Sequence, residues 1–326
     1  METPSHGILQ ELKAAIATVV VGQDELIETL ILTLLARGHI LLEGVPGVAK
    51  SLVVETFARA CGGSFNRFQF TPDKMPGDIL GGLVFSAREE SFSYRKGPIF
   101  CNFFLADEIN RASPKVQSAL LQAMQEREVS SEDENLPLPD PFMVMATQNP
   151  IEQVGTYPLA EAQIDRFMVK YEVGYLDDND EFELLQRKNT DFRERVAALE
   201  PLLAPETIVA LQAMVHNRVT VSDTVLRYIL NLCLKSRPRP EKEPGYQPEI
   251  HDFLRLGASP RAAESLLALA KARAFFAGRQ EVDFNDAETL LPRVLGHRLL
   301  LNHRALAEEV SAGELVRRIL ESTPAY

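Results

Sequence analysis

Cysteine is scarce in this chain: Cys61, Cys101 and Cys233 lie far apart and form no CxxC pair. Their number and spacing exclude a disulfide framework and a zinc ribbon. The six histidines (His6, His39, His216, His251, His297, His303) show no metal-ligand spacing, and there is no HExxH; His297 and His303 read as surface or satisfied core positions. No apolar run approaches the length of a membrane span, and Met1–Gln10 lacks the charged-then-apolar pattern of a signal peptide. Positive charge is in deficit, with 34 Lys+Arg against 46 Asp+Glu and a net charge of −12, so there is no diffuse basic footprint for nucleic acid. Internal repeats and low-complexity tracts are also missing. The expectation is a soluble, reduced, cytoplasmic protein. Its 326 residues, 45% hydrophobic and 25% charged, are enough for two domains with a sizeable core.

Two amphipathic helices come first, marked weakly by Ile8, Leu9, Leu12 and Ile16 and strongly by Leu26, Ile27, Leu30, Ile31, Leu34 and Leu35. Short apolar runs then alternate with helical stretches: His39–Leu42, Arg67–Phe70, Asn102–Ala106, Phe142–Thr147 and Phe167–Tyr171. Runs of this kind predict a parallel sheet buried on both faces. Two hairpins interrupt the alternation, one pairing Leu83–Phe85 with Phe92–Tyr94 and one bracketing the acidic loop Ser130–Asn135. The aromatic residues Phe85, Phe92 and Tyr94 read first as local packing and second as a partner contact. Beyond Tyr171 the strand signals fade. A helical half follows, with helices around Val225, Ile229 and Leu232 and from Ala262 to Phe276, separated by the proline-rich loop Arg237–Pro248. The expected division is residues 1–176 and 177–326.

The segment His39–Ser51 reads HILLEGVPGVAKS, a strand running into a glycine-bearing loop, Lys-Ser and a helix. Backbone N–H groups of such a loop and helix N-terminus converge on phosphate oxygens. Gly44 and Gly47 permit the tight backbone, and Val45, Pro46, Val48, Ala49 and Leu52 complete the cradle. Lys50 would supply charge to β/γ-phosphates, and Ser51 offers a hydroxyl to Mg²⁺. The pattern departs from GxxxxGK[ST] at Ala49, where glycine is usual. Asn102–Glu108 reads NFFLADE; Asp107 at the strand end is expected to orient the Mg²⁺ shell and Glu108 to polarise the attacking water.

The blocks LADEINRASPKVQSALLQAMQEREV (Leu105–Val129) and MATQNPIEQVGTYPLAEAQIDRF (Met145–Phe167) resemble the MoxR family of AAA+ ATPases, within the helix-2-insert clade. RKGPIF (Arg95–Phe100) and GASPRA (Gly257–Ala262) are similar too, so that the resemblance spans about residues 8 to 320. It implies an α/β fold, an AAA+ P-loop core with a five-stranded parallel sheet in an αβα sandwich, followed by an all-helical lid. It also implies that Asn149 is a sensor-1 residue and Arg166 an arginine finger reaching a neighbouring subunit. Arg261 would be sensor 2, Val21-Gly22 would line the adenine pocket, and Arg111 is characteristic without an assigned role. The implied assembly is a homo-oligomer, a hexameric ring, with ATP and Mg²⁺ as cofactors. Its work would be the remodelling or maturation of a protein client, often with a partner bearing a von Willebrand factor A (VWA) domain.

Other readings remain open at this point. A nucleic-acid translocase would want basic inward hairpins, whereas the second hairpin carries Glu132, Asp133, Glu134 and Asp140. A nucleotide-gated scaffold would not need the full set Lys50, Asp107, Glu108, Asn149, Arg166 and Arg261. A magnesium-chelatase-like subunit would share the architecture but need a pigment-pathway partner.

Overall fold

The structure is a computed structural model, and it describes residues 4–45, 48, 50–86, 90–131, 134–150, 155–188, 196 and 198–324. Nine strands come from the first half: β1 (Ile40–Glu43), β2 (Phe65–Gln69), β3 (Gly81–Ser86), β4 (Ser91–Lys96), β5 (Phe103–Asp107), β6 (Glu128–Ser130), β7 (Asn135–Pro137), β8 (Met143–Gln148) and β9 (Val169–Glu172). Five of them form one parallel sheet in the order β2-β5-β8-β1-β9. β3 pairs antiparallel with β4, and β6 with β7, as two separate hairpins.

Side-chain alternation explains the layering. Ile40, Leu42, Phe103, Leu105, Met143 and Met145 belong to one buried cluster, while Leu41, Phe104, Ala106, Val144 and Ala146 belong to another. With a period of two, the intervening residues point to opposite faces, so a continuous apolar run feeds two cores. The first face carries the helices Pro4–Ala17, Asp24–Leu35 and Lys50–Ala60; the second carries Pro114–Glu126 through Val116, Leu120, Leu121 and Met124.

The later helices, Pro205–Arg218, Asp223–Lys235, Pro260–Phe276, Phe284–Leu295 and Ala312–Ser322, join the first of these clusters. The N-terminal helix therefore touches both halves; His6 Nδ1 lies 2.8 Å from the Phe276 carbonyl. Asp286, fully buried, accepts from Arg273 at 2.7 Å and pairs with Arg279, tying two helices of the second half together. The proline-rich segment ends in a short helix, Pro248–His251. The helical half also contains a small antiparallel ladder, β10 (Leu254–Leu256) with β11 (Leu300–Leu301), too short for periodicity to reveal. Among the described residues, no helix is long and apolar enough to cross a membrane.

Candidate nucleotide site and a second arginine cluster

The register brings Glu43, Gln69, Asp107 and Gln148 to the same, C-terminal, edge of the sheet. Ligands of open parallel sheets bind outside this edge. Gly44 follows β1 directly, and a Cβ there would stand 2.5 Å from the Val173 carbonyl oxygen, so only glycine allows this approach. Val48 packs partly against the core, and Lys50, Ser51 and Leu52 open the next helix. Pro46, Gly47 and Ala49 lie outside the described residues.

Lys50 donates to the carbonyls of Gly44 and Val45, the latter at 3.1 Å. Burial draws its ammonium below the usual lysine value, while Asp107, Glu108 and Glu43 oppose that shift. Ser51 Oγ lies 3.5 Å from Asp107 Oδ2. The other carboxylate oxygen of Asp107 accepts from Thr147 Oγ1 at 2.6 Å. Arg67 donates to Oδ2 through two nitrogens, at 3.0 and 2.6 Å. A hydroxyl and a carboxylate converging in this way are hard oxygen donors suited to Mg²⁺, which takes one or two protein ligands beside phosphates and water. No group of three or more His, Cys, Asp and Glu arranged to hold a metal occurs among the described residues.

Glu108 occupies the left-handed region, with φ 57° and ψ 52°. Its N–H donates to Thr147 Oγ1 at 2.9 Å, so one threonine holds both adjacent acids in place. The Glu108 carboxylate accepts from Gln69 at 2.7 Å and Arg111 at 3.0 Å. Asn149 is buried at the end of β8, and its carbonyl accepts from Asn110 Nδ2 at 3.2 Å. Val21 is buried, and Gly22 turns the chain between the first two helices at φ +66°. A Cβ at Gly22 would meet the Asp180 carboxylate at 2.2 Å.

Arg166 and Arg261 are not part of this constellation. Met168 N donates to the His39 carbonyl, and Ile40 pairs with Val169, so Arg166 lies before the N-terminal end of the sheet. It lines a cavity of about 360 Å³ with Arg37, Gly38, His39, Met124 and Arg261. Six residues of strand rise separate Gly38 from Gly44, about 20 Å at ~3.3 Å each, further than one side chain reaches. The Arg166 Nε is buried with no hydrogen-bond partner among the described residues. Arg261 is half-exposed and meets Asp165 Oδ2 at 3.4 Å.

The backbone carrying Arg166 is clamped from the helical half. Arg298, nearly fully buried, donates to Asp165 Oδ1 at 2.8 Å and to the carbonyls of Asp165 and Phe167 at 3.1 and 2.8 Å. Sequence reasoning did not single out Thr147, Arg67, Gln69, Asp165 or Arg298. A weak signal existed for Thr147, which lies two positions before Asn149 and so shares its side of the strand. The others meet partners 39 to 133 positions away, which no local pattern encodes.

The profile of the ATPase family associated with various cellular activities (AAA) matches residues 39–169, and an AAA lid domain matches residues 246–319. Chaperone MoxR1 of Mycobacterium tuberculosis is 44% identical over 304 residues, covering 93% of this chain and 78% of that protein. The chain belongs to the MoxR family of AAA+ ATPases. The uncharacterised Bacillus subtilis protein YeaC is 40% identical over 317 residues, 97% of this chain and 94% of its own length. A crystal structure of a candidate ATPase from Cytophaga hutchinsonii superposes with a TM-score of 0.89 at 40% identity, covering 98% of this chain and 96% of that one. The fold is thus the AAA+ sheet with a helical C-terminal lid, and the activity of this MoxR-type chaperone-like protein is ATP hydrolysis.

Proposed function

We propose that the chain is the subunit of a Mg²⁺-dependent, ATP-driven ring, a hexamer, that remodels a protein client. The observation that carries this reading is the separation of two groups of candidate site residues. Lys50, Ser51, Asp107, Glu108 and Asn149 gather at one edge of the sheet, whereas Arg166 and Arg261 gather at the opposite end. An arginine that cannot reach its own nucleotide serves the site of the next subunit, in a head-to-tail contact that closes into a ring.

In that arrangement the Gly44–Ser51 loop binds the triphosphate through backbone N–H groups, and Lys50 leaves the loop carbonyls to pair with phosphate. Ser51 and Asp107 would hold Mg²⁺, which would supply neutralisation of phosphate charge. Glu108 accepts the proton of the attacking water, Asn149 helps to orient that water, and Val21 and Gly22 border the base. Arg166 of one protomer stabilises charge on the phosphate held by the next, and Arg261 approaches from the same side. The boundary between core and lid is placed near residue 176, between β9 and the helix Asp178–Lys188. The location is cytoplasmic, and a VWA-domain protein would be one component on the client side. A nucleic-acid substrate is disfavoured by the acidic residues Glu128, Glu134 and Asp140 around the second hairpin.

The test uses Glu108→Gln held in Mg·ATP. Turnover should fall by a factor of about 10² or more, as for loss of a general base. Nucleotide should stay bound, and the trapped ring should retain a protein that elutes when ATP is removed. Undiminished turnover would remove Glu108 from its role. Retention of DNA instead of protein would overturn the client reading.

A further inference from the structure

Each of three cations at the nucleotide edge is engaged by an acceptor of its own chain. Lys50 holds the carbonyls of Gly44 and Val45, Arg111 holds Glu108, and Arg67 holds Asp107. The third pairing stands apart, because it covers the carboxylate oxygen that the Ser51 hydroxyl also faces. Thr147 occupies Oδ1; Oδ2 is left for Ser51 at 3.5 Å and for both Arg67 nitrogens.

Strand geometry makes this contact possible. Arg67 is paired in register with Leu105, and Gln69 with Asp107, so Arg67 is the diagonal neighbour of the acid. With parallel strands ~4.8 Å apart and a rise of ~3.3 Å per residue, the two positions are about 8 Å apart, within reach of a long side chain lying along the strand. The two partners differ sharply in exposure: the Arg67 side chain is 54% exposed and that of Asp107 only 8%. The carboxylate is therefore the fixed partner and the arginine the one able to swing into solvent. A buried carboxylate without a counter-charge is costly, which gives the contact a purpose before any metal arrives.

We infer that Arg67 is a displaceable counter-ion for the metal-binding oxygen of Asp107. It holds the carboxylate oriented, must leave Oδ2 when Mg²⁺ enters, and thereby sets the metal concentration at which the site loads. Arg67 is a positioning residue: it acts through Asp107. The inference rests on the proposed metal role of Ser51 and Asp107.

Mn²⁺ serves as the probe, titrated into full-length protein carrying one equivalent of AMP-PNP and followed by the free-ion EPR signal. Arg67→Gln removes the competing charge and should tighten Mn²⁺ binding about tenfold, the scale of one charge-assisted hydrogen bond. Arg67→Lys keeps the charge but loses the fork, and should fall between the two. If the glutamine variant does not fold, as judged by circular dichroism, the lysine variant alone still decides the question. An unchanged or weakened Mn²⁺ affinity in the folded variants would make Arg67 purely structural and overturn the inference. Asp107→Asn provides the separate control. If it binds Mn²⁺ as well as the unaltered protein, the metal role of Asp107 fails, and the inference fails with it. If it loses Mn²⁺ while the Arg67 variants match the unaltered protein, only the inference fails.

Discussion

His39 shows how one buried polar residue joins the layers of this fold. Its Nδ1 accepts the Val144 N–H at 2.9 Å, and its Nε2 donates to the Met124 carbonyl at 3.1 Å, so both ring nitrogens are used in the neutral form. Burial, reinforced by Arg127, lowers its pKa from 6.5 to about 4, against the raising effect of the Met124 hydrogen bond. Protonation would turn the Val144 acceptor into a second donor. Because the folded-state value lies below the unfolded one, the associated stability is complete above pH 6.5 and is lost as pH falls towards 4. At pH 5 the loss amounts to about 2 kcal/mol relative to neutral pH. Urea unfolding at pH 7.5 and 5 should show His39→Gln losing less stability across that interval than the unaltered protein, by about this amount. Equal losses would mean that the histidine takes up its proton equally in both states, with no lowered value in the fold. Glu108 presents a different local tension, a non-glycine residue in left-handed geometry, which costs about 1 kcal/mol or more. Thr147 holds that backbone in place through the Glu108 N–H.

At the scale of elements, the β3–β4 hairpin departs most from what its residue types imply. Tyr94 packs locally, stacking edge-on with Phe100 and donating to the Leu80 carbonyl at 3.0 Å. Phe85 and Phe92 instead stand 54% and 70% exposed, packed against each other at a ring separation of 5.1 Å. Aromatic residues on a strand normally mark a buried face, but a two-stranded ribbon outside the main sheet has nothing to bury them against. If this tip meets the client, replacing Phe85 and Phe92 by serine should leave stability within about 0.5 kcal/mol. It should also leave ATP hydrolysis intact while abolishing protein retention by the ATP-trapped ring. Retention at full strength would assign client contact to another element.

The same contrast separates what was legible in the sequence from what was not. The strand runs could be read because strands buried on both faces are continuously apolar, as Ile40–Leu42 and Phe103–Ala106 are. The strand Ile40–Glu43 and the helix opening at Lys50-Ser51 could be read because their signals are local in sequence. Arg67 on Asp107 and Arg298 on Asp165 could not, since strand order and lid placement create those contacts and no period carries them.

The whole molecule has two chemically different ends. The C-terminal edge of the sheet carries Glu43, Asp107 and Glu108 beside Lys50, Arg67 and Arg111, whereas at the far end Arg37, Arg166 and Arg261 share one cavity with Asp165 and Glu264. Arg298 anchors the Asp165–Phe167 backbone to the lid, so lid position and Arg166 position are mechanically joined. A nucleotide polyanion bound at one end and the Arg166 and Arg261 guanidinium groups at the other would complement each other between two copies arranged head to tail. Subunit mixing tests this directly. Arg166→Ala alone leaves every site without a finger, and Glu108→Gln alone leaves every site without its base; each ring should be nearly inactive. In a random equimolar mixture, a site is complete where an R166A protomer is served by the Arg166 of an E108Q neighbour. With independent choice at both positions, about one interface in four is complete, so ATP hydrolysis should recover to about a quarter of the unaltered rate. If Arg166 acted on its own subunit's nucleotide, no protomer in the mixture would be complete and mixing would restore nothing.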